Sequence, residues 1–359
     1  MPSITIDVRM ARHAGIGTYI RNVVPRVVAA RPDWRFTLLA PPGVEDDWGA
    51  ATVRACTSDI YTVGEQVELA ARTPRSDLFW SPHYNIPIAV RSPLVVTVHD
   101  VGHLALPEMY GGPLRQGYAR FMFGSVKRRA REIIFDSDFT RAEFLRLVGQ
   151  PRRWATIPLG VDASWSALPR APSPHPRPYL LFVGSTKPHK NIGALLRAFE
   201  SLAATSDVDL IIVGGQAKQR TIDTAALNLA GELGARVRVV SGAPDDAVKQ
   251  FVANAAALVL PSLHEGFGLP ALEAMAAGAP CVVSNAASLP EVGGDAVLYC
   301  DPRDPADIAR QIQRLLGDPS LRSDLVAAGR ARAARFSWDT TASMTLAVLE
   351  RALGGGSAR

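Results

Sequence analysis

The sequence predicts an α/β protein built from two Rossmann-like domains, each carrying a parallel sheet, with a deep cleft between the sheets. Three observations lead there. The chain has 359 residues, too many for one ordinary core and suited to two domains of roughly 150 to 200 residues each. Short β-rich runs alternate with helical patterns through both halves, the signature of parallel strands joined by crossover helices. Prolines at positions 169, 172, 174, 176 and 178 crowd one segment, where regular structure should lapse.

In the first half, strands are expected at Ile4–Val8, Phe36–Ala40, Leu94–Val98 and Ile133–Phe135, with helical stretches such as Thr18–Ala30 between them. The proline-rich stretch from Asp162 to Pro178 is the expected linker, dividing residues 1–165 from residues 166–337. Alternation then resumes with Tyr179–Val183, Val208–Val213, Val237–Val240, Ala257–Leu260 and Cys281–Val283. The last pattern, Trp338–Leu353, reads as one amphipathic helix after the second sheet is complete, and it is expected to join the first domain.

Composition narrows the class. An apolar fraction of 47% and a charged fraction of 20% fit an ordinary globular protein, and no run approaches the ~18 apolar residues of a spanning helix. The opening Met-Pro-Ser-Ile-Thr-Ile-Asp enters a strand pattern without a secretory signal, so a cytoplasmic location is expected. Cys56, Cys281 and Cys300 match no metal-ligand or redox spacing and read as reduced core thiols. A net charge of +5 favours anionic partners without choosing among nucleotide diphosphates, phospholipid surfaces and nucleic acid.

Ligands of open α/β sheets gather at the carboxyl ends of strands, so the residues just after each strand carry the search. After the first strand, Gly15-Ile16-Gly17-Thr18 opens a helix with no side chains to block an anion; a plain strand-to-helix turn would read the same way. Leu94–Val98 ends in His99-Asp100, two titratable groups that need partners or a task at a buried strand mouth. Tyr179–Val183 runs into Gly184-Ser185-Thr186-Lys187-Pro188-His189-Lys190-Asn191. Its lysines, glycine turn and helix start suit a diphosphate, though a solvated basic loop is the bland alternative.

The strongest signal follows Ala257–Leu260, where Glu265-Gly266-Phe267-Gly268-Leu269 leads into a short helix that carries Glu273 and ends at Gly278. Glycines at 266 and 268 allow close approach of backbone amides to a ligand. A carboxylate accepts two hydrogen bonds at once, which suits the vicinal hydroxyls of a sugar or ribose. Two glutamates therefore suggest two hydroxyl-bearing rings.

The Glu265 and Glu273 segment resembles the signature of retaining glycosyltransferases of family four, which have the GT-B fold; the mannosyltransferase-rich branch is the nearest in pattern. The similarity extends to Gly15-Ile16-Gly17, His99-Asp100, Ser137–Phe144, Ile157–Asp162, Gly184–Asn191 and Ser288-Leu289-Pro290-Glu291-Val292. It implies that Glu273 holds the ribose, that Glu265 with the amides of Phe267, Gly268 and Leu269 holds the donor sugar, and that Lys190 binds the diphosphate. Gly15 and Gly17 would lie against donor phosphate and acceptor, and His99 would contact the transferring sugar. The chain carries Ser185 and His189 where members usually place a phosphate-binding arginine, and Thr18 where close relatives often have arginine. Lys187 is the expected compensation, and Thr18 and Asp100 belong to the acceptor side.

The expected reaction is transfer of a hexose, mannose first, from a nucleotide diphosphate sugar to a glycan or lipid-linked acceptor. GDP-mannose is the first expected donor, UDP-sugars the next, and nucleic acid is not an expected partner. Asp207-Val208-Asp209 looks like a metal-binding acidic triplet but precedes its strand, so no cofactor and no divalent metal are expected. The run Arg120–Arg131 mixes Phe121, Met122 and Phe123 with basic residues. It could lie on an anionic membrane at its inner face, although an ordinary amphipathic helix is the simpler reading. An epimerase or hydrolase of nucleotide sugars, or a nucleotide-binding regulatory module, would suit the same architecture.

Overall fold

The computed structural model describes residues 1–44, 47–169, 171–214 and 224–354. The chain divides into two compact units. The first comprises Met1–Ala105, Gly112–Gly160 and the chain from Ser337; the second comprises Leu106–Gly111 and Val161–Phe336. The division thus falls between Gly160 and Val161, a few residues before the expected boundary, and the short Leu106–Gly111 segment groups with the second unit.

The first unit is built on a seven-stranded sheet with β1 (Ser3–Asp7), β2 (Arg35–Ala40), β3 (Thr52–Ala55), β4 (Leu78–Ser81), β5 (Leu94–Val98), β6 (Ala130–Phe135) and β7 (Trp154–Thr156). Its order is β3-β2-β1-β4-β5-β6-β7, and every pairing is parallel. Parallel strands covered on both faces need apolar residues at successive positions. β4 and β5 accordingly are buried throughout, with Leu78, Phe79, Trp80, Val95 and Val96 at the centre of the core. Helices α1 (Ile16–Ala30), α2 (Val63–Arg72) and α3 (Pro113–Arg129) belong to this unit.

The second unit carries β8 (Tyr179–Val183), β9 (Asp209–Val213), β10 (Val237–Val240), β11 (Ala257–Leu260), β12 (Cys281–Ser284) and β13 (Leu298–Cys300). Its parallel sheet has the order β10-β9-β8-β11-β12-β13. In both sheets the direction of strand addition reverses once, beside β1 and β4 in the first and beside β8 and β11 in the second. Loops leaving the carboxyl ends at such a point diverge to opposite faces, which leaves a crevice for a ligand. Helices α4 (Ile192–Ala203) and α5 (Leu269–Ala277) start from the two loops at the second reversal.

The terminal helix α6 (Trp338–Gly354) packs on the first unit. Trp338, Thr341, Thr345, Val348 and Leu349 are its buried face. Arg26 Nε meets Asp339 at 2.7 Å, Arg351 Nη2 meets Glu132 at 2.7 Å, and Thr341 Oγ1 donates to the Pro158 carbonyl at 2.8 Å. The three cysteines are free and buried, and burial pushes the Cys281 thiol up to about 12. Asp209, the last residue of the acidic triplet, starts β9 at the amino edge of its sheet. There it accepts bonds from His175 and Arg236, each at 2.7 Å.

Candidate active site

The site of the second unit is assembled from the loops that leave β8 and β11. After β8, the Gly184 amide donates to the Val213 carbonyl at 3.0 Å, which seats the turn on the neighbouring strand. Lys187 is exposed, Ser185 is partly buried, and a single 3₁₀ turn, Pro188–Lys190, follows. Asn191 then takes a left-handed conformation with φ 60° and starts α4. Its side-chain Nδ2 donates to the Pro261 carbonyl at 3.0 Å and the Pro302 carbonyl at 2.6 Å, so this strained position is anchored from two loops.

The β11 loop docks on that turn, with the Leu263 amide donating to the His189 carbonyl at 2.8 Å. This registration brings two predicted residues together: Lys190 Nζ lies 2.7 and 2.8 Å from the two oxygens of Glu265. Ser262 Oγ donates to the same carboxylate at 2.8 Å. Lys190 and Glu265 thus form one partly buried ion pair. His189 is buried and stacks face to face on Tyr110, with ring centroids 4.8 Å apart.

Beyond Glu265, the chain through Gly266 and Phe267 reaches Gly268, which precedes α5 with φ 107°. That backbone conformation favours glycine, and a Cβ would also meet Leu289 Cδ2 at 2.6 Å. α5 begins at Leu269 with no side-chain cap, so its first amides are directed to whatever lies at its amino end. Ser288 Oγ lies 2.9 Å from both the Glu265 and Phe267 carbonyls and holds the loop from behind. Glu273, in the middle of α5, is partly buried, and burial pushes its carboxyl up to about 8, with Asp245 adding to the rise and Lys249 opposing it.

The first unit holds the remaining predicted residues. Gly15 is exposed with φ 73° and precedes α1, which has no side-chain cap. Gly17 is buried; a Cβ there would come 2.3 Å from the Ala11 carbonyl oxygen, so only glycine fits this close approach. Thr18, partly buried, accepts a bond from Asn22 at its carbonyl. Tyr19, next in the helix, packs edge-on against the His99 ring with centroids 5.0 Å apart, which joins the glycine loop to the end of β5.

His99 is held at both nitrogens: Nδ1 lies 2.5 Å from Asp136 Oδ2, and Nε2 lies 2.9 Å from the Pro82 carbonyl. A carbonyl only accepts, so Nε2 carries a proton. Desolvation lowers the His99 pKa, but the charge and hydrogen bond of Asp136 outweigh it and the net shift is upward. Asp136 is itself pushed up by burial. Asp100 accepts from the Gly102 amide at 2.8 Å and caps the turn after β5.

Several supporting residues are not singled out by the sequence. Asp136 follows β6, and the rule that polar residues at strand mouths need a task would have found it. Ser262 donates to the Glu265 carboxylate three residues on, whereas Ser288 and Asn191 act on backbone atoms far away in the chain, which no local pattern signals. Among the described residues no cluster of histidine, cysteine or carboxylate side chains could hold a metal ion.

Comparison with known proteins matches residues 165–332 to the family model described as glycosyl transferases group 1. The O-antigen chain mannosyltransferase B of Escherichia coli is 33% identical over 293 residues, covering 77% of this chain and 75% of that protein. An MMP alpha-(1->4)-mannosyltransferase of Mycolicibacterium hassiacum is 32% identical over 276 residues, covering 73% and 66% respectively. A D-inositol 3-phosphate glycosyltransferase of Acidothermus cellulolyticus is 32% identical over 280 residues, covering 73% and 62%. The matched region is thus just under two thirds of the length of the last two relatives. Sucrose-phosphate synthase from Thermosynechococcus elongatus shares the fold with a TM-score of 0.80 at 21% identity, over 99% of this chain and 100% of that one. HepE of Anabaena, solved in complex with UDP and glucose, gives 0.79 at 18% identity over 98% and 100%.

Proposed function

Because the chain belongs to the group 1 glycosyltransferases of the family-four type, with the GT-B fold, we propose that it transfers mannose from GDP-mannose to a glycan or lipid-linked acceptor with retention of anomeric configuration. The observation that carries this reading is the Lys190–Glu265 pair beside the uncapped start of α5, at the point where the second sheet reverses. A cation, a carboxylate and helix amides in one place match the three needs of a nucleotide diphosphate sugar: charge neutralisation, hydroxyl acceptors and anion-directed dipoles. Mannose is favoured because two of the relatives above bear that sugar in their names.

Cleavage of the anomeric bond sends charge onto the diphosphate, so stabilising that leaving group lowers the barrier most directly. Lys190 and the α5 amides supply the stabilisation, with Lys187 adding charge at the exposed edge. Glu265 accepts from sugar hydroxyls, and Glu273 accepts from the ribose. No divalent ion is assigned to the reaction. A thermal-shift screen against GDP-mannose, UDP-glucose and UDP-galactose tests the donor, because a ligand that binds only the folded state raises the midpoint. Stabilisation by UDP-sugars and not by GDP-mannose would overturn it. Full turnover in excess EDTA and an α-configured product by proton NMR test the metal and stereochemical parts.

The reading includes action at the cytoplasmic face of a membrane. Of the apolar residues in the expected membrane run, Met122 and Phe123 are buried in the core and Phe121 is 52% exposed; α3 also leaves Leu114 91% exposed beside the exposed Arg115 and Arg120, and no helix among the described residues is long and apolar enough to cross a membrane. Apolar side chains among cations fit a peripheral contact with anionic lipid. Flotation with phosphatidylglycerol vesicles, lost in Leu114→Glu, is the expected result; equal flotation with neutral vesicles would overturn it.

A further inference from the structure

The buried face of α2 carries Glu65 beside Leu69, while Val63 and Val67 stand 83% and 66% exposed. Turning a carboxylate into the core and valines to solvent is costly, and the buried side shows what the cost maintains. Asp7, at the end of β1, holds Arg9 through two bonds of 2.8 and 2.6 Å. Arg9 Nη2 also reaches Glu65 at 2.8 Å. Glu65 in turn accepts from Asn85 Nδ2 at 2.7 and 2.8 Å and from the Tyr61 amide at 2.7 Å. Asn85 Oδ1 accepts from the Tyr118 hydroxyl. Asp7, Arg9, Glu65 and Asn85 are all at most 5% exposed.

Such a cluster stabilises little in net terms, because desolvation offsets the attraction, so its value lies in fixing geometry. What it fixes is a group of rings. Glu65 holds the backbone of Tyr61, a non-glycine residue at φ 66° that is 40% exposed. Asn85 holds the hydroxyl of Tyr118. Tyr61 lies 6.2 Å from both Tyr84 and Tyr118 by ring centroid, and Tyr84 is backed by Phe123, stacked at 4.4 Å. The network springs from the loops after β1 and β4, the strands at which the first sheet reverses, where open α/β sheets take their ligands.

One exposed ring, Tyr61, backed by the partly buried Tyr84 and Tyr118 and held by buried polar groups, is suited to a ligand with apolar faces and a polar rim. A pyranose ring has that character: its C–H faces pack on aromatic rings and its hydroxyls point outward. We propose that Tyr61, Tyr84 and Tyr118 form a rigid platform for a pyranose of the glycan acceptor. The assignment rests on the glycosyl-transfer reading above and names the acceptor-binding residues within it.

The test is saturation-transfer NMR on the full chain with methyl α-D-mannopyranoside, alongside the methyl glycosides of glucose and galactose, and calorimetry with GDP on the same samples. At least one glycoside is expected to bind wild type, at least tenfold more weakly to Tyr61→Ala and Tyr61→Leu, and within twofold of wild type to Tyr61→Phe. GDP affinity is expected to be unchanged in all three, which separates loss of the platform from loss of the fold. Failure of every glycoside to bind wild type, or full binding by Tyr61→Leu, would overturn the proposal. So would a Tyr61→Leu variant that loses flotation with anionic vesicles while keeping its glycoside. Glycoside binding by a wild type that takes no nucleotide supports the platform and removes the donor assignment instead.

Discussion

Lys190 and Glu265 neutralise one another, with the ammonium 2.7 and 2.8 Å from the two carboxylate oxygens. Each is a group that a nucleotide sugar would want for itself, the cation for phosphate and the anion for hydroxyls. Binding must therefore share or exchange the pair, which couples the two halves of the donor in one contact.

That coupling makes the Glu265→Gln variant informative. Removing the carboxylate charge releases Lys190 toward phosphate, while the amide keeps the shape and part of the hydrogen bonding. GDP affinity is expected to rise about tenfold, since a charged hydrogen bond is worth about 1.5–3 kcal/mol and the lysine no longer divides it. Turnover is expected to fall by a factor of about 100, because sugar hydroxyls lose their acceptor. Calorimetry and steady-state rates on one preparation check both, and weaker GDP binding would contradict the shared-charge view.

Lys190→Ala acts in the opposite sense. It leaves Glu265, nearly buried beside Ser262, without its counter-ion. Breaking a buried pair from one side costs about 3–5 kcal/mol, and less here because Lys190 keeps some solvent contact. Stability to urea is expected to drop by about 2 kcal/mol and GDP affinity to fall. The double variant with Glu265→Gln should recover most of the stability and none of the affinity, a non-additivity that a double-mutant cycle reads directly.

How much of this was legible in sequence depends on the distance over which the cause acts. The bounds of β5, β8, β10 and β11 follow from apolar, β-branched runs flanked by turn residues, and the structure reproduces them. β7 and β13 have only three residues each, too short for a period to show, β3 is exposed along its whole length, and β4 has no β-branched residue. Lys190 and Glu265 both stand out in the sequence as candidate site residues, one after its glycine turn and one in the loop before its helix. Their pairing was not, because it depends on β8 lying beside β11, an adjacency of strands far apart in the chain. The same holds for Arg9 and Glu65, whose pairing brings a strand end against the buried face of a helix that a periodicity argument would turn the other way.

His99 is expected to titrate through Asp136. Its upward shift arises because Asp136 favours the charged ring against desolvation. A raised histidine pKa contributes stability that is fully present below the unfolded value and lost as pH rises through the folded one. Asp100 also favours the charged ring, while Tyr19 packs against it. Asp136→Asn removes the main charge, so the His99 Cε1–H resonance should titrate at lower pH and turnover should fall about tenfold with donor KM little changed. An unmoved resonance would show that Asp136 does not set the protonation of the ring.

Ser288 supports the Glu265 loop through its backbone alone. Its hydroxyl shares one proton between two carbonyls, those of Glu265 and Phe267, at 2.9 Å each. Ser288→Ala leaves both buried acceptors short of a donor, at a cost of about 1–3 kcal/mol. Urea denaturation should show that loss, and donor KM should rise several-fold because the α5 amino end is no longer held in place. Ser288→Thr, which keeps the hydroxyl, should restore KM more fully than stability, as the added methyl must be fitted into a packed site.

Glu273 gives the pH dependence of donor binding a definite sign. Burial raises its carboxyl from 4.5 to about 8, so the folded protein holds a proton there that the unfolded chain releases. Between those two values the unfolded state binds fewer protons, and stability therefore falls as pH rises from about 4.5 to 8. Glu273→Gln removes this dependence: the variant should match wild type near pH 4.5 and exceed it at pH 8.5 by on the order of 2 kcal/mol, less than full linkage because the side chain is only partly buried. A ribose needs the ionised acceptor for both of its hydroxyls, so nucleotide binding should release a proton near neutral pH and tighten as pH approaches 8. Calorimetry of GDP in buffers of different ionisation enthalpy measures that proton. Uptake in place of release, or equal nucleotide affinity in the Gln variant at pH 8.5, would remove Glu273 from the nucleotide site.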